Sequence, residues 1–399
     1  MADLNEGLDR RAAGIAASLR SEIDAFIVMD VMREANAREA AGERIIHMEV
    51  GQPATPAPRS ALEAARRALD TDRLGYTEAL GLPALRARIA RHYRERHGLD
   101  IGAARVVVTA GSSAGFVLAF LALFDPGDRV ALPSPGYPCY RHILTALGCR
   151  PHLIETGPQG RWMPDGAMIG RAATMAGEGP LKGLLVASPA NPTGTMLSPD
   201  QLAGLIAACR THGLAFISDE IYHGLTYEGP AATALSFGED VVVINSFSKY
   251  FSMTGWRIGW MVVPEALVRP IERLAQNLYI SPSTIAQHAA IGAFDAGDEL
   301  EANRLVYARN RALLLEGLPA AGFREILPAD GAFYLYADVG HWTDDARAFA
   351  RRLLAETGIA TTPGLDFDAT RGNRYLRLSY AGATSAMVEA LERLVRWRP

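Results

Sequence analysis

The sequence predicts an α/β fold: a large domain with a mainly parallel sheet between helices, plus a smaller α+β domain built from both chain ends. Two observations predict it. Between residues 105 and 265, short apolar runs alternate with helical stretches, which is the signature of parallel strands joined by helical crossovers. Most of those runs are continuously apolar rather than alternating, as strands covered on both faces are. Outside this region the pattern changes to a helix and a short strand at one end, and to helix, strand, helix, strand, helix at the other.

In chain order, the opening stretch "MADLNEGLDRRAAGIAASLR" mixes acids and bases and lacks the apolar core of a signal peptide. A helix is expected over Ala25 to Ala41, then a strand in "RIIHMEV", then a proline-rich hinge, "GQPATPAP", from Gly51 to Pro58. The basic run from Arg86 to Gly98 reads as a solvated helix, because Leu82, Leu85, Ile89 and Tyr93 share one face. Six strands are read in "RVVVTAG", "DRVALP", "KGLLVASP", "LAFISDE", "VVVINSF" and "RIGWMVV". Between them, "SPDQLAGLIAACRTHG" is a helix with Ser198 as N-cap and Pro199 at its first position. "GAFYLYADV" and "RYLRLSYA" are the strands of the last hundred residues. The expected boundaries are 1–55 and 301–399 for the two parts of the small domain and 56–300 for the large one.

The chain has 399 residues, 49% hydrophobic and 21% charged, which is ample for two cores. Its net charge of −4 argues against nucleic-acid binding, which needs a basic excess. Cys139, Cys149 and Cys209 are widely separated, so neither a disulfide framework nor a metal site is expected, and a reducing compartment fits. No run reaches the roughly 18 apolar residues that span a bilayer. A soluble, cytoplasmic protein with no membrane partner is expected.

Ligands of open parallel sheets gather beyond the carboxyl ends of the strands. There the sequence places Gly111, Ser112 and Ser113 ahead of a helix, small residues whose backbone N–H groups either grip a phosphate or form a tight turn. Asn191-Pro192-Thr193-Gly194 reverses the chain after another strand. Asp219 and Glu220 follow a buried run, where a carboxylate is costly without a positive partner; Tyr222 and His223 come next, and His223 alone reads as structural. Ser246, Ser248 and Lys249, with Arg257 eight residues on, suit an amine that forms an imine beside a bound phosphate. Arg377 lies inside a strand, opposite in sense to Leu376 and Leu378, and calls for a planar anion from the protein or from a substrate.

Taken together, Tyr76, "GSS", Tyr137, "NPTG", "SDEIY", "SFSKYFSMTGWRIG" and "RLSYA" closely resemble the class I/II aminotransferases, pyridoxal-phosphate enzymes of the aspartate-aminotransferase fold. The resemblance runs from "MEVGQP" to the final helix and implies that the mainly parallel sheet of the large domain is seven-stranded, one strand more than the six read above. It implies that Lys249 holds pyridoxal 5'-phosphate as an imine and then serves as general base, and that Asp219 pairs with the pyridinium nitrogen. Asn191 and Tyr222 would bond the cofactor's O3′, and Tyr137 would stack on its ring. Gly111, Ser112, Ser113, Ser246 and Arg257 would hold its phosphate, joined by Tyr76 from the neighbouring subunit of a homodimer with shared sites. Arg377, with Gly51 and Asn191 lining the same pocket, would clamp the substrate carboxylate.

The resemblance therefore implies a transaminase that moves an amino group from an L-amino acid to a 2-oxo acid by a ping-pong mechanism, with 2-oxoglutarate the expected acceptor. A lyase of the β-C–S or decarboxylase type on the same fold is the alternative. A non-catalytic regulator is not expected, since every catalytic position holds the expected chemical type. In some aspartate-specific relatives a lysine occupies the place of Ser113, so aromatic or neutral amino acids are as compatible with this chain as aspartate. Tyr279 and Ile280 could reach the pocket mouth, but core packing or a subunit contact is the reading favoured for them.

Overall fold

The computed structural model describes residues 17–175 and 179–399; the mixed-charge opening stretch lies, up to residue 16, outside them. After a helix at Ile27–Ala40 and the two-residue strand β1 (Ile46–His47), the main sheet is built from β2 (Val106–Thr109), β3 (Arg129–Ser134), β4 (Arg150–Glu155), β5 (Leu181–Ala187), β6 (Ala215–Asp219), β7 (Val242–Ser246) and β8 (Gly259–Val262). Its order is β2-β8-β7-β6-β5-β3-β4. Within it β8 runs antiparallel to both neighbours, and the other pairings are parallel.

Each of the six apolar runs is a strand of this sheet. The seventh, β4, has the sequence RPHLIE and was not among them. It is an edge strand with mostly exposed or half-buried side chains, so it lacks the continuous apolarity that marks a covered strand. Alternate residues along the strands serve opposite faces. Val108, Leu184, Val243 and Trp260 pack on one side, and Val107, Leu185, Ile244 and Met261 on the other. The continuous apolar pattern thus has its physical cause: helices cover both faces.

The helices follow their local signals. At Pro199–Thr211, Ser198 Oγ accepts from Gln201 N (3.2 Å) and Gln201 Oε1 accepts from Ser198 N (2.8 Å), a capping box ahead of Pro199. At Pro83–His97, Leu85, Ile89 and Tyr93 are buried, Leu82 is half-buried at the N-cap, and Gly98 ends the helix at φ +69°. The helix at Ile27–Ala40 is capped from far away: Asp366 Oδ1 and Oδ2 accept from Ile27 N (3.1 Å) and Val28 N (3.2 Å).

The remaining strands are β9 (Tyr334–Asp338), β10 (Ile359–Ala360), β11 (Thr362–Pro363) and β12 (Tyr375–Ser379). β11, β12 and β9 form an antiparallel sheet in that order, and β10 pairs in parallel with β1, so strand pairing joins the two ends of the chain. A separate apolar core lies here, with Ile46 and Met48 packed among Leu335, Leu376 and Leu378. Among the described residues no helix is long and apolar enough to cross a membrane.

Candidate active site

Several sheet ends converge on one place. Asp219 is the last residue of β6 and Ser246 the last of β7; Gly111 opens the helix Gly111–Leu123 two residues after β2 ends. Asn191 follows β5, while Arg377 reaches in from β12. Between them lies a cavity of about 520 Å³. Of the residues expected to form a site, Gly51, Ser112, Ser113, Tyr137, Asn191, Asp219, Tyr222, Lys249, Arg257 and Arg377 line it. Gly111 and Ser246 sit just behind the wall. Tyr76 is 85% exposed and lies outside the cavity of its own chain.

Lys249 Nζ donates to the Gly51 carbonyl at 2.6 Å. Burial lowers its pKa to about 8, with the positive charges of Arg377 and Arg257 acting in the same direction and Asp219 opposing them. Asp219 is 3% exposed. Burial pushes its carboxyl up to about 6 against hydrogen bonds from Tyr140 Oη and from Ile221 N, the latter at 3.0 Å. Neither of these donors is a cation.

Arg377 is buried, and its hydrogen-bond partners are neutral. Nη1 donates to Asn191 Oδ1 (2.9 Å), and Nη2 to the Glu49 carbonyl and to Thr362 Oγ1 (3.3 Å). Its guanidinium stacks over the rings of Tyr334 (4.4 Å) and Phe367 (4.7 Å), and Nε has no partner. A fixed guanidinium held by neutral acceptors keeps its charge available to an incoming carboxylate.

At the other end of the cavity, Arg257 adopts a left-handed backbone (φ +50°) directly after the short helical turn Thr254–Trp256. Its side chain lies against Gly111, itself at φ +77°. The positive φ favours glycine there, and a Cβ would meet the tip of the Arg257 side chain, Nη2, at 2.5 Å and push it aside. Ser246 Oγ accepts from Ser248 N at 3.1 Å and lies 2.8 Å from Ser248 Oγ, and Ser248 lines the cavity. Ser246 therefore reaches the cavity through Ser248.

Some contributors were not among the residues expected from the sequence. Tyr140 bonds Asp219, and Tyr334 Oη lies 2.8 Å from Tyr222 Oη. Tyr140 stands three residues after Tyr137 at a helix start, a spacing that hints at a shared face. Phe26, Val28, Met29 and Met32 bring the first described α-helix to the cavity as an apolar wall, and Phe26 meets Tyr137 edge-on at 5.8 Å. Tyr279 packs against the core and Ile280 is exposed; neither lines the cavity.

Gly51 makes this packing testable. A Cβ there would fall 1.7 Å from Tyr334 Oη. Gly51→Ala is expected to destabilise the protein by about 1–3 kcal/mol through overpacking. It should also cut kcat by about 10²-fold by displacing the carbonyl that holds Lys249. Thermal unfolding and steady-state rates check both effects.

Comparison with known proteins places this geometry in context. The family model "Aminotransferase class I and II" matches residues 43–394. The chain is 47% identical over 386 residues to the valine–pyruvate aminotransferase of Mycobacterium tuberculosis, covering 96% of this chain and 98% of that protein. It is 34% identical to the aspartate/prephenate aminotransferase of Thermus thermophilus, covering 98% of each. A crystal structure of an aminotransferase from Mycobacterium tuberculosis superposes with a TM-score of 0.92 at 46% identity, over 96% of this chain and 99% of that one.

Proposed function

Because the chain belongs to the class I and II aminotransferases, which use pyridoxal 5'-phosphate, we propose that this cavity holds that cofactor and moves the amino group of a neutral, apolar L-amino acid to a 2-oxo acid. One observation carries the reading: a lysine of lowered pKa, a buried acid and a buried guanidinium line a single cavity whose outer wall is apolar.

The residues present fit the cofactor. Asp219 is a buried acid whose hydrogen bonds come from a phenol and a peptide N–H, so a protonated ring nitrogen would supply its missing cation. The first turn of helix Gly111–Leu123, with Ser112, Ser113 and Arg257 beside it, offers the donors and the positive charge that a phosphate needs. Ser246 supports that end through Ser248. Pyridoxal phosphate supplies an aldehyde that captures the amino group and a ring that draws electrons from the bonds at Cα.

The chain supplies the rest. A lysine titrating near pH 8 has a free-amine fraction at neutral pH, so Lys249 Nζ can accept the Cα proton and return it. Asp219 would keep the ring nitrogen protonated; Tyr222 and Asn191 would offer hydrogen bonds to the ring oxygen, and Tyr137 would supply an aromatic surface for the ring. Arg377 grips the α-carboxylate, and its neutral partners Asn191 and Thr362 fix the fork. Gly51 fixes the resting position of Lys249.

The side-chain end explains the choice of donor. Phe26, Val28, Met29, Met32, Val50 and Ile221 carry no charge, and Ser113 stands where a lysine would receive an acidic side chain. Both half-reactions use the same wall, so an acceptor with a short neutral side chain, such as pyruvate, suits it. 2-Oxoglutarate, the acceptor expected from the sequence, needs a cation for its second carboxylate, which a neighbouring subunit would have to bring. A donor panel with each acceptor tests this. Valine-like and aromatic donors should exceed aspartate by at least about tenfold in kcat/KM, and Met29→Arg should narrow that gap by about tenfold. Aspartate as the preferred donor of the wild type would refute the apolar assignment.

The same reading includes a cytoplasmic homodimer in which Tyr76 reaches the neighbouring subunit's site. Its support is the exposure of Tyr76 together with Leu278 and Ile280. It also includes a small domain formed by 1–55 with 301–399 beside the large domain 56–300, supported by the pairing of β1 with β10.

A further inference from the structure

Next to Asp219 the chain buries a second carboxyl, that of Glu220, for which the reading above has no use. It is 1% exposed. Its Oε1 accepts from Ala234 N (2.8 Å), Ser218 Oγ (3.0 Å) and Thr233 Oγ1 (3.1 Å), which leaves that oxygen no room for a proton. Its Oε2 has no hydrogen-bond partner and faces His223 Nδ1, also unpartnered, at 3.4 Å.

The tautomer of His223 follows from its other nitrogen. Nε2 lies 3.1 Å from the Ser188 carbonyl, which can only accept, so Nε2 carries the hydrogen. A neutral ring then turns a bare lone pair at Nδ1 towards Oε2. An ionised Glu220 would set two bare acceptors against each other in a buried site, which is costly. A proton on Oε2 converts the same contact into a hydrogen bond.

The charges around the pair favour that proton. Asp219 is the adjoining acid. From the helix Pro83–His97 come Tyr93, Arg96 and His97, whose ring lies 5.9 Å from that of His223. Burial pushes His97 and His223 each down to about 4, so both are neutral near pH 7, and Arg96 is exposed. No buried cation therefore holds Glu220 in its charged form, and burial pushes it up to about 7.

We propose that Glu220 is a positioning residue that holds its proton up to neutral pH and donates it to His223 Nδ1, so that below that point any negative charge at this strand end rests on Asp219 alone. Adjacent buried carboxyls resist ionising together, and a charged Glu220 raises the pKa of Asp219. The benefit to Asp219 rests on its reading as partner of the cofactor ring; the proton on Glu220 does not.

Glu220→Gln is the test, since the amide oxygen can take the three bonds of Oε1 while the amide nitrogen donates to His223. The E220Q holoenzyme should fold and keep its cofactor affinity and kcat/KM within about threefold of wild type. pH-difference infrared spectra of the wild-type holoenzyme should contain a protonated carboxyl band that titrates near pH 7, absent in E220Q and retained in D219N. Stability carries the same signature. A folded pKa raised from 4.5 to about 7 contributes stability that is full below pH 4.5 and is lost as pH rises through 7. The wild-type advantage over E220Q should shrink accordingly. Failure of E220Q to fold, a loss of cofactor affinity of about 100-fold, or no carboxyl band that E220Q removes would overturn the proposal. If the band behaves as expected but D219N binds cofactor normally, the role of Asp219 fails and the proton on Glu220 stands.

Discussion

Lys249→Ala is expected to lower amino transfer by about 10⁴-fold or more, because the residue is assigned both the covalent hold on the cofactor and the proton transfer at Cα. The fold should survive. The lysine's burial, along with the nearby Arg377 and Arg257, disfavours its own charged form, so removing it relieves repulsion and costs chiefly the bond to the Gly51 carbonyl. Thermal unfolding should therefore remain close to wild type while the rate collapses. Small primary amines added to the variant should recover part of the rate, since they restore a base at the vacated position. A variant that keeps wild-type turnover would remove Lys249 from the chemistry.

Asp219→Ala is expected to cost about 3–5 kcal/mol, the scale of stripping one partner from a buried ion pair. That corresponds to about 10²–10⁴-fold in kcat/KM. Asp219→Asn separates charge from shape: the amide oxygen can keep the bond from Ile221 N and the amide nitrogen can donate to Tyr140 Oη in reverse, but the side chain cannot hold a ring nitrogen protonated. If charge is the function, D219N should lose nearly as much as D219A. If D219N works like wild type, the residue only shapes the turn. Kinetics and cofactor dissociation constants for both variants, measured side by side, decide between these outcomes.

The fold was legible where local chemistry repeats. Strands buried on both faces must be apolar throughout, and the six so marked are all in the sheet. β4 escaped because an edge strand is not obliged to be apolar. The site was legible where loops at strand ends carry unusual residues, as at Lys249, Asp219 and Asn191. Arg377 was readable as an inward-facing cation, but the neutrality of its partners depends on β11 and on the segment before Gly51, which no local pattern announces.

The least legible contributions are long-range ones. Asp366 caps the helix that supplies the apolar wall from more than 300 positions away in sequence. Tyr334 reaches Tyr222 across 112 positions. Glu220 read as a costly buried acid, yet its answer lies in the tautomer of His223, which is set by the Ser188 carbonyl. Such partners are determined by tertiary packing, and single-chain patterns carry no record of register between distant elements.

The most direct measurement is a half-reaction. The holoenzyme is mixed with L-valine without any acceptor, and the released 2-oxo acid, ammonia and carbon dioxide are quantified before and after pyruvate is added. An apolar-donor transaminase should release one equivalent of 2-oxo acid per subunit and neither ammonia nor carbon dioxide, then pass the retained amino group to pyruvate as alanine. Release of ammonia or carbon dioxide, or reaction with aspartate but not with valine, would contradict it.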